Sequence, residues 1–425
     1  MLDPRSLAER RDEILESCRR RGVDADIDAA VAAQAQVVSL QTELNDANRQ
    51  RNEHQAAGKK KLSPEERETH TQEGRRLKES VAAIEVRLTE AGATRDEALR
   101  GLPNFVHPDS PVGGEEDFTT LRTVGQPTRF DFEARDHLAL GQALDLFDFE
   151  SGAKVTGQKF YFLKNEAVLL ELALQRLALE VAMRAGFRIF TTPDLARRRI
   201  VDAMAFSPRG PETQIYSVEG TDLDLIGTAE ITLGGLYEDT VLDEDELPLK
   251  LAGISHCYRT EAGSAGRESK GLYRVHQFTK VEMFAFTRPE DSPAMHDELL
   301  AIEEEVFQAL EVPYRVIDIA TGDLGAPAYR KFDIEAWLPG RGEGGDYGEV
   351  TSTSNCTDFQ ARRLKTRFRR KDTKKNELVH TLNGTAVAIS RALIAVLENH
   401  QQGDGSVVVP KALRPHTGFD RIGPR

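Results

Sequence analysis

Two stretches of the chain repeat a small or apolar residue at steps that alternate between three and four, and that spacing admits few folds. The first runs Ala30, Ala33, Val37, Leu40, Leu44, Ala47, and the second Leu77, Val81, Ile84, Leu88, Ala91. Such alternation is the seam of a coiled coil. Between them stand Gly58-Lys59-Lys60-Lys61-Leu62 and Ser63-Pro64-Glu65-Glu66. Ser63 suits the cap of a second helix, Pro64 its first helical position, and Glu66 the reciprocal bond of a capping box. Two helices joined by one short turn run antiparallel. The predicted hairpin covers about residues 28–98, and about 30 residues per helix at 1.5 Å each make it roughly 45 Å long.

Periodicity alone fits a packed hairpin or a dimerisation coiled coil equally well. Two features favour a protruding arm. Towards the tip Arg51 and His54 continue the first register, so little there drives burial. Positive charge also gathers at that end, in Arg49, Arg51, Lys59, Lys60, Lys61, Arg67, Arg75 and Arg76. A net charge of −14 argues against a general nucleic-acid binder. A local basic strip nevertheless suits a phosphate backbone.

A length of 425 residues allows two or three domains. The 39 % apolar and 30 % charged fractions are those of a soluble globular chain. No run of about 18 apolar residues occurs, so no membrane-spanning helix is predicted. The start, Met1-Leu2-Asp3-Pro4-Arg5, lacks the apolar stretch of a signal peptide. Cys18, Cys257 and Cys356 are too few and scattered for a disulfide framework or a cysteine zinc site. These features together predict a cytoplasmic protein. The hairpin ends near Leu102-Pro103-Asn104, and Pro108 to Gly114 reads as a linker. The predicted organisation is an N-terminal domain over 1–103, a linker over 104–130 and a mixed helix-and-strand domain over 131–425.

In that last domain Asn165 to Ala185 is helical by composition, and Gly186 to Pro193 is a strand pattern ended by proline. Ile254 to Glu261 and Leu272 to Met283 alternate like two strands around a small-residue loop, Ala262 to Gly266. Arg259 and Glu261, two apart, are predicted to project from one strand face. There the arginine fork could hold a phosphate and the carboxylate could accept from an amino group. An ordinary ion pair has the same spelling. Thr381 to Arg391 places small residues ahead of a helix that runs through Asn399.

Taken in order, Thr228-Ala229-Glu230, Tyr258 to Arg267, His276 to Glu282, Thr353 to Cys356 and His380 to Thr385 resemble the signature motifs of class II aminoacyl-tRNA synthetases. In detail they are similar to those of bacterial seryl-tRNA synthetases, over nearly the whole chain. The resemblance implies an α+β protein, with an antiparallel coiled-coil arm ahead of a catalytic domain whose antiparallel sheet is flanked by helices. It implies activation of serine with ATP and transfer to the 3′-terminal adenosine of tRNA(Ser), and leaves tRNA(Sec) open. By the same carry-over Arg259, Glu349 and Arg391 are catalytic. Thr228, Ala229, Glu230, Arg259, Glu282, Asn383 and Thr385 bind serine. ATP is assigned to Arg259, Thr260, Glu261, Arg274, Val275, Phe278, Arg391 and the run Glu349, Val350, Thr351, Ser352. Mg²⁺ is assigned to Glu349 and Ser352, and no zinc is expected. Arg49, Arg51, Lys59, Lys60, Lys61, Arg75 and Arg76 face tRNA. Family members are homodimers, so Asn165 to Pro193 is expected at an interface, with the arm reaching tRNA across the dimer. Two departures stand out: Ala386 and Ser390 replace glycines common in relatives, and Gly340 to Asp346 is either a lid or a longer turn. The alternative is a synthetase-like ligase that loads an amino acid onto a carrier protein or antibiotic precursor. Such relatives often lack the arm.

Overall fold

The structure, a computed structural model, describes residues 1–59, 63–206, 214–261 and 270–424. It divides into two compact units, Met1–Phe105 and Val106–Arg425. In the first, α1 (Arg11–Arg21) precedes the long pair α2 (Ile27–Ala57) and α3 (Pro64–Arg100). Asp26 caps α2 by accepting from the Ala29 N–H at 2.8 Å. The capping box at α3 is formed: Ser63 N–H donates to Glu66 Oε2 at 2.7 Å, and Glu66 N–H to Ser63 Oγ at 3.2 Å. Ala30, Ala33 and Leu40 are buried against Leu77, Val81, Ile84 and Ala91, as the seam requires. Val37, Leu44, Ala47 and Leu88 are half-buried. Near the tip the seam passes to a stacked pair, His54 and His70, with ring centroids 3.8 Å apart. Gly58 is needed there, since a Cβ would sit 2.3 Å from His70 Nε2.

The second unit is built on an eight-stranded sheet. In chain order its strands are β1 (Thr119–Val124), β2 (Arg188–Thr191), β3 (Leu249–Tyr258), β4 (Gln277–Thr287), β5 (Tyr314–Asp318), β6 (Arg330–Leu338), β7 (Asp346–Thr357) and β8 (His380–Ala388). In space they run β1-β5-β6-β7-β8-β4-β3-β2. Every neighbouring pair is antiparallel except the edge pair β2 and β3, which is parallel. The expected hairpin is β3 with β4, in the register Ile254 opposite Val281 and Tyr258 opposite Gln277. The stretch read as linker is not featureless, because β1 lies within it and closes one sheet edge.

Three helices, α4 (Glu166–Arg184), α5 (Ser292–Ala309) and α6 (Ile389–Asn399), contribute to the main core. The period of two along β4 sorts its side chains. Val281, Met283 and Ala285 join Leu174, Leu299, Val306 and Leu393 in that core. Phe284 and Phe286 face the other way, into a second cluster with Met204, Leu251 and Phe368. Burying each of these rings is worth roughly 1.5–3 kcal/mol. The same alternation continues to Phe278, Lys280 and Glu282, so the second sheet face is apolar at one end and polar at the other.

Candidate active site

The polar end of that face carries two cavities, of about 430 Å³ and 110 Å³. They share one wall, formed by Arg259, Glu261, Arg274, Lys280, Ser352 and Thr385. The larger holds Thr228, Glu230, Glu282 and Asn383, and the smaller Val275, Phe278, Glu349 and Arg391.

In the larger cavity Thr385 Oγ1 donates to Glu282 Oε2 at 3.2 Å, and Lys280 Nζ lies 2.5 Å from the same oxygen. Asn383 Nδ2 donates to Glu230 Oε1 at 3.1 Å. Burial pushes the Glu230 carboxyl up to about 7, and the charge of Glu282 adds to the shift. Two carboxylates, an amide and a hydroxyl thus converge on a space suited to a small polar solute carrying an ammonium group.

In the smaller cavity Arg391, early in α6, reaches Glu349 at 2.9 Å. Burial alone would raise the Glu349 carboxyl, but Arg391 and Lys331 outweigh it and hold it well below the usual carboxylate range. Its side chain still keeps 40 % of its surface open towards the cavity. Glu349 and Ser352 are three apart, which in a regular strand would set them on opposite faces. A bulge where Ile334 pairs Thr351 and Glu335 pairs Glu349 brings both to the cavity. Thr351 turns away and donates to Glu303 Oε2 at 2.8 Å.

Arg259 and Glu261 share the site, but not by strand alternation. Strand β3 ends at Tyr258. Arg259 is held by its N–H to His276 O at 3.0 Å, and its guanidinium lies 5.4 Å from the Phe278 ring centroid. Glu261 takes a left-handed φ of 52° and accepts from Arg274 Nη1 at 2.5 Å. The chain leaves the strand between them, and the arginine, not the pleat, aims the carboxylate. Val350 also borders the smaller cavity, whereas Ala229 and Thr260 line neither. Ala229 packs in the second core cluster, Val350 in the main one. Thr260 bonds Gln214 O through its backbone N–H. The loop residues 262 to 267 lie outside the described residues.

On the arm, Arg75 and Lys59 are exposed and Arg51 half-buried. Arg49 pairs with Asp46 at 3.2 Å and Arg76 with Glu73 at 2.6 Å, which reduces their charge towards an outside partner. Lys60 and Lys61 lie outside the described residues.

Several side chains at the site carried no signal that singled them out. Lys280 was findable, since it alternates with Phe278 and Glu282. Tyr273 lies under two guanidinium groups, Arg391 at 4.8 Å and Arg341 at 5.1 Å. Arg341 comes from the Gly340 to Asp346 segment, which is the turn joining β6 to β7 and lines a neighbouring cavity with Arg391 and Glu349.

Family models match both units of the chain. The description "Seryl-tRNA synthetase N-terminal domain" matches residues 1–106, and "tRNA synthetase class II core domain (G, H, P, S and T)" matches residues 215–400. A serine–tRNA ligase of Treponema denticola is 52 % identical over 424 residues, covering 100 % of both chains. The chain belongs to the seryl-tRNA synthetase family. Among solved structures, the seryl-tRNA synthetase of Pyrococcus horikoshii complexed with ATP aligns with a TM-score of 0.89 at 38 % identity, covering 100 % of both chains. The cytoplasmic serine–tRNA ligase of Naegleria fowleri in complex with AMP aligns at 0.82 and 31 %, covering 100 % of this chain and 99 % of that one. The seryl-tRNA synthetase fold thus accounts for both units, the helical hairpin and the eight-stranded sheet.

Proposed function

We propose that this chain is a serine–tRNA ligase that activates serine with ATP and transfers it to the 3′-terminal adenosine of tRNA(Ser). The observation that carries this reading is the shared wall of the two cavities. It sets Arg259 between a pocket of Glu230, Glu282, Asn383 and Thr385 and a pocket of Phe278, Glu349 and Arg391. Serine in the larger pocket offers its ammonium to Glu230, its hydroxyl to Glu282 and Thr385, and its carboxylate to Arg259. ATP in the smaller one stacks its adenine on Phe278, gives its amino group to Glu261 and extends its distal phosphates to Arg274 and Arg391.

A carboxylate oxygen of serine then attacks the α-phosphorus in line. The new oxygen–phosphorus bond forms as the bond to pyrophosphate breaks, leaving seryl-adenylate. No protein nucleophile takes part. Arg259 and Arg391 stabilise charge that grows on phosphate oxygens, so the chain's contribution is positioning and electrostatics. In the second step the tRNA hydroxyl attacks the carbonyl carbon and AMP leaves.

Mg²⁺ at Glu349 and Ser352 would supply charge neutralisation on the phosphates. Among the described residues no three His, Cys, Asp or Glu side chains converge on one point. Mg²⁺ at nucleotide sites uses one or two carboxylates with phosphates and water, so this donor set fits.

The dimer part of the reading rests on α4 and β2, where Leu169, Leu172 and Ile189 stay 42–55 % exposed in the single chain. A second copy covering that apolar face is part of the proposal, and the arm reaching tRNA across the dimer rests on the family resemblance alone. No helix among the described residues is long and apolar enough to cross a membrane, and a cytoplasmic site of action is part of the proposal. tRNA(Sec) is the second acceptor to assay. Serine-dependent exchange of pyrophosphate into ATP tests the first step. Exchange that needs serine and fails with other amino acids is the expected result, and exchange indifferent to serine overturns it.

A further inference from the structure

The carboxylate of Glu230 is held from behind by a side chain that no motif singles out. Gln360 stands on the short helix Phe359–Leu364 that follows β7, and it is 0 % exposed. Its Nε2 donates to the Met204 carbonyl at 3.1 Å and to Glu230 Oε1 at 2.6 Å. Its Oε1 accepts from Thr381 Oγ1 on β8 at 2.7 Å. A backbone carbonyl can only accept, so Met204 decides which end of the amide is nitrogen. The end facing Glu230 is therefore a donor. Asn383 Nδ2 donates to the same Oε1 at 3.1 Å. Two donors on one oxygen favour the ionised carboxylate, and Oε2 remains for the cavity that Glu230 lines.

We propose that Gln360 is a positioning residue for amino-acid binding: locked by Met204 and Thr381, it holds Glu230 ionised with Oε2 presented to the substrate ammonium. This rests on the reading of the larger cavity as the serine site.

The electrostatics leave Glu230 poised. Burial and the neighbouring Glu282 push it up to about 7, while the Gln360 bond, Lys280 and Arg259 work the other way. Those are the charged groups that face it from β4 and from the end of β3. From β8 and β7 it meets the neutral Asn383 and, beyond that, the Cys356 thiol, whose Sγ lies 3.8 Å from Asn383 Nδ2. A carboxyl so placed is easily tipped to its neutral form, and a neutral carboxyl cannot pair with an ammonium. An amide that only satisfied the Met204 carbonyl would have no such consequence.

The test is Gln360→Met, nearly the same size but without charge or donor, in serine-dependent pyrophosphate exchange. KM for serine should rise roughly 10- to 100-fold, the loss of one charge-assisted hydrogen bond, while KM for ATP stays within about twofold. The acid limb of kcat/KM for serine should move to higher pH, because Glu230 ionises later. Parallel changes in both KM values, or an unmoved acid limb, would overturn the proposal. If Gln360→Met does not fold, Thr381→Val must show the same serine-selective rise, with Thr381→Ser, which keeps the hydroxyl, restoring it. Equal behaviour of the two Thr381 variants overturns the proposal. Absence of serine-dependent exchange in the wild type would overturn the reading of the cavity and the role of Gln360 with it. Wild-type exchange with an unmoved Gln360→Met overturns the role alone.

Discussion

Replacing Thr385 by valine isolates the recognition of the serine hydroxyl. Thr385 is 6 % exposed, and its Oγ1 donates to Glu282 Oε2 at 3.2 Å. Valine keeps the volume and the branching at Cβ, so β8 keeps its pairing with β4, and Lys280 at 2.5 Å still neutralises Glu282. What is lost is one hydroxyl in a water-poor site beside a carboxylate. A hydrogen bond to a charged group is worth about 1.5–3 kcal/mol, and about 1.4 kcal/mol is tenfold, so kcat/KM for serine should fall roughly 10- to 100-fold. Alanine has no hydroxyl to lose, and its far smaller kcat/KM should stay within about threefold. Discrimination between the two amino acids then shrinks by nearly the whole factor. Pyrophosphate exchange with each amino acid reads both numbers. An equal loss for serine and alanine would refute the argument, because it would mean that the cavity had changed shape rather than lost a specific contact.

Three further expectations follow from the same geometry. Arg391→Met removes the guanidinium 2.9 Å from Glu349 and should cost roughly 100- to 1000-fold in kcat for adenylate formation, with serine binding by calorimetry unchanged. Glu230→Gln should weaken serine binding yet stabilise the fold at alkaline pH. The native carboxyl is raised to about 7, so it favours the folded state at low pH and loses that contribution as pH rises through about 7. Thermal melts at pH 5 and pH 8 should therefore converge in this variant by about 2 kcal/mol relative to wild type, after allowing for solvent at the pocket mouth. Ile84→Ala, at a position 4 % exposed between α2 and α3, should destabilise the first unit by about 2–4 kcal/mol and leave pyrophosphate exchange unchanged, as paired melts and assays would read.

What the sequence disclosed was what is local. The alternating seam of α2 and α3 and the Ser63 to Glu66 capping box are set by neighbours within four residues, and they appear as read. So does the β3–β4 hairpin, whose flanks alternate on either side of one loop. The order of the eight strands was not legible, since it depends on pairings far apart in sequence, such as β1 with β5. The bulge that brings Glu349 and Ser352 to one cavity leaves no mark in the residues themselves. Strand alternation misplaced Arg259 and Glu261, because the strand ends at Tyr258 and Glu261 itself takes a left-handed φ. Gln360 and Tyr273 gain their roles only from tertiary neighbours, a carboxylate 130 positions away for the first and two guanidinium groups for the second. Gly340 to Asp346 joins β6 to β7, and its Arg341 lines the cavity beside Glu349.

Charging of bacterial tRNA with labelled serine tests the central claim most directly, with the intact chain beside a deletion of about residues 28–98. Serine should be incorporated by the intact chain, while the deletion exchanges pyrophosphate in the presence of serine but charges no tRNA. Activation of serine by the intact chain with no tRNA charged would contradict the claim and favour a ligase for another acceptor.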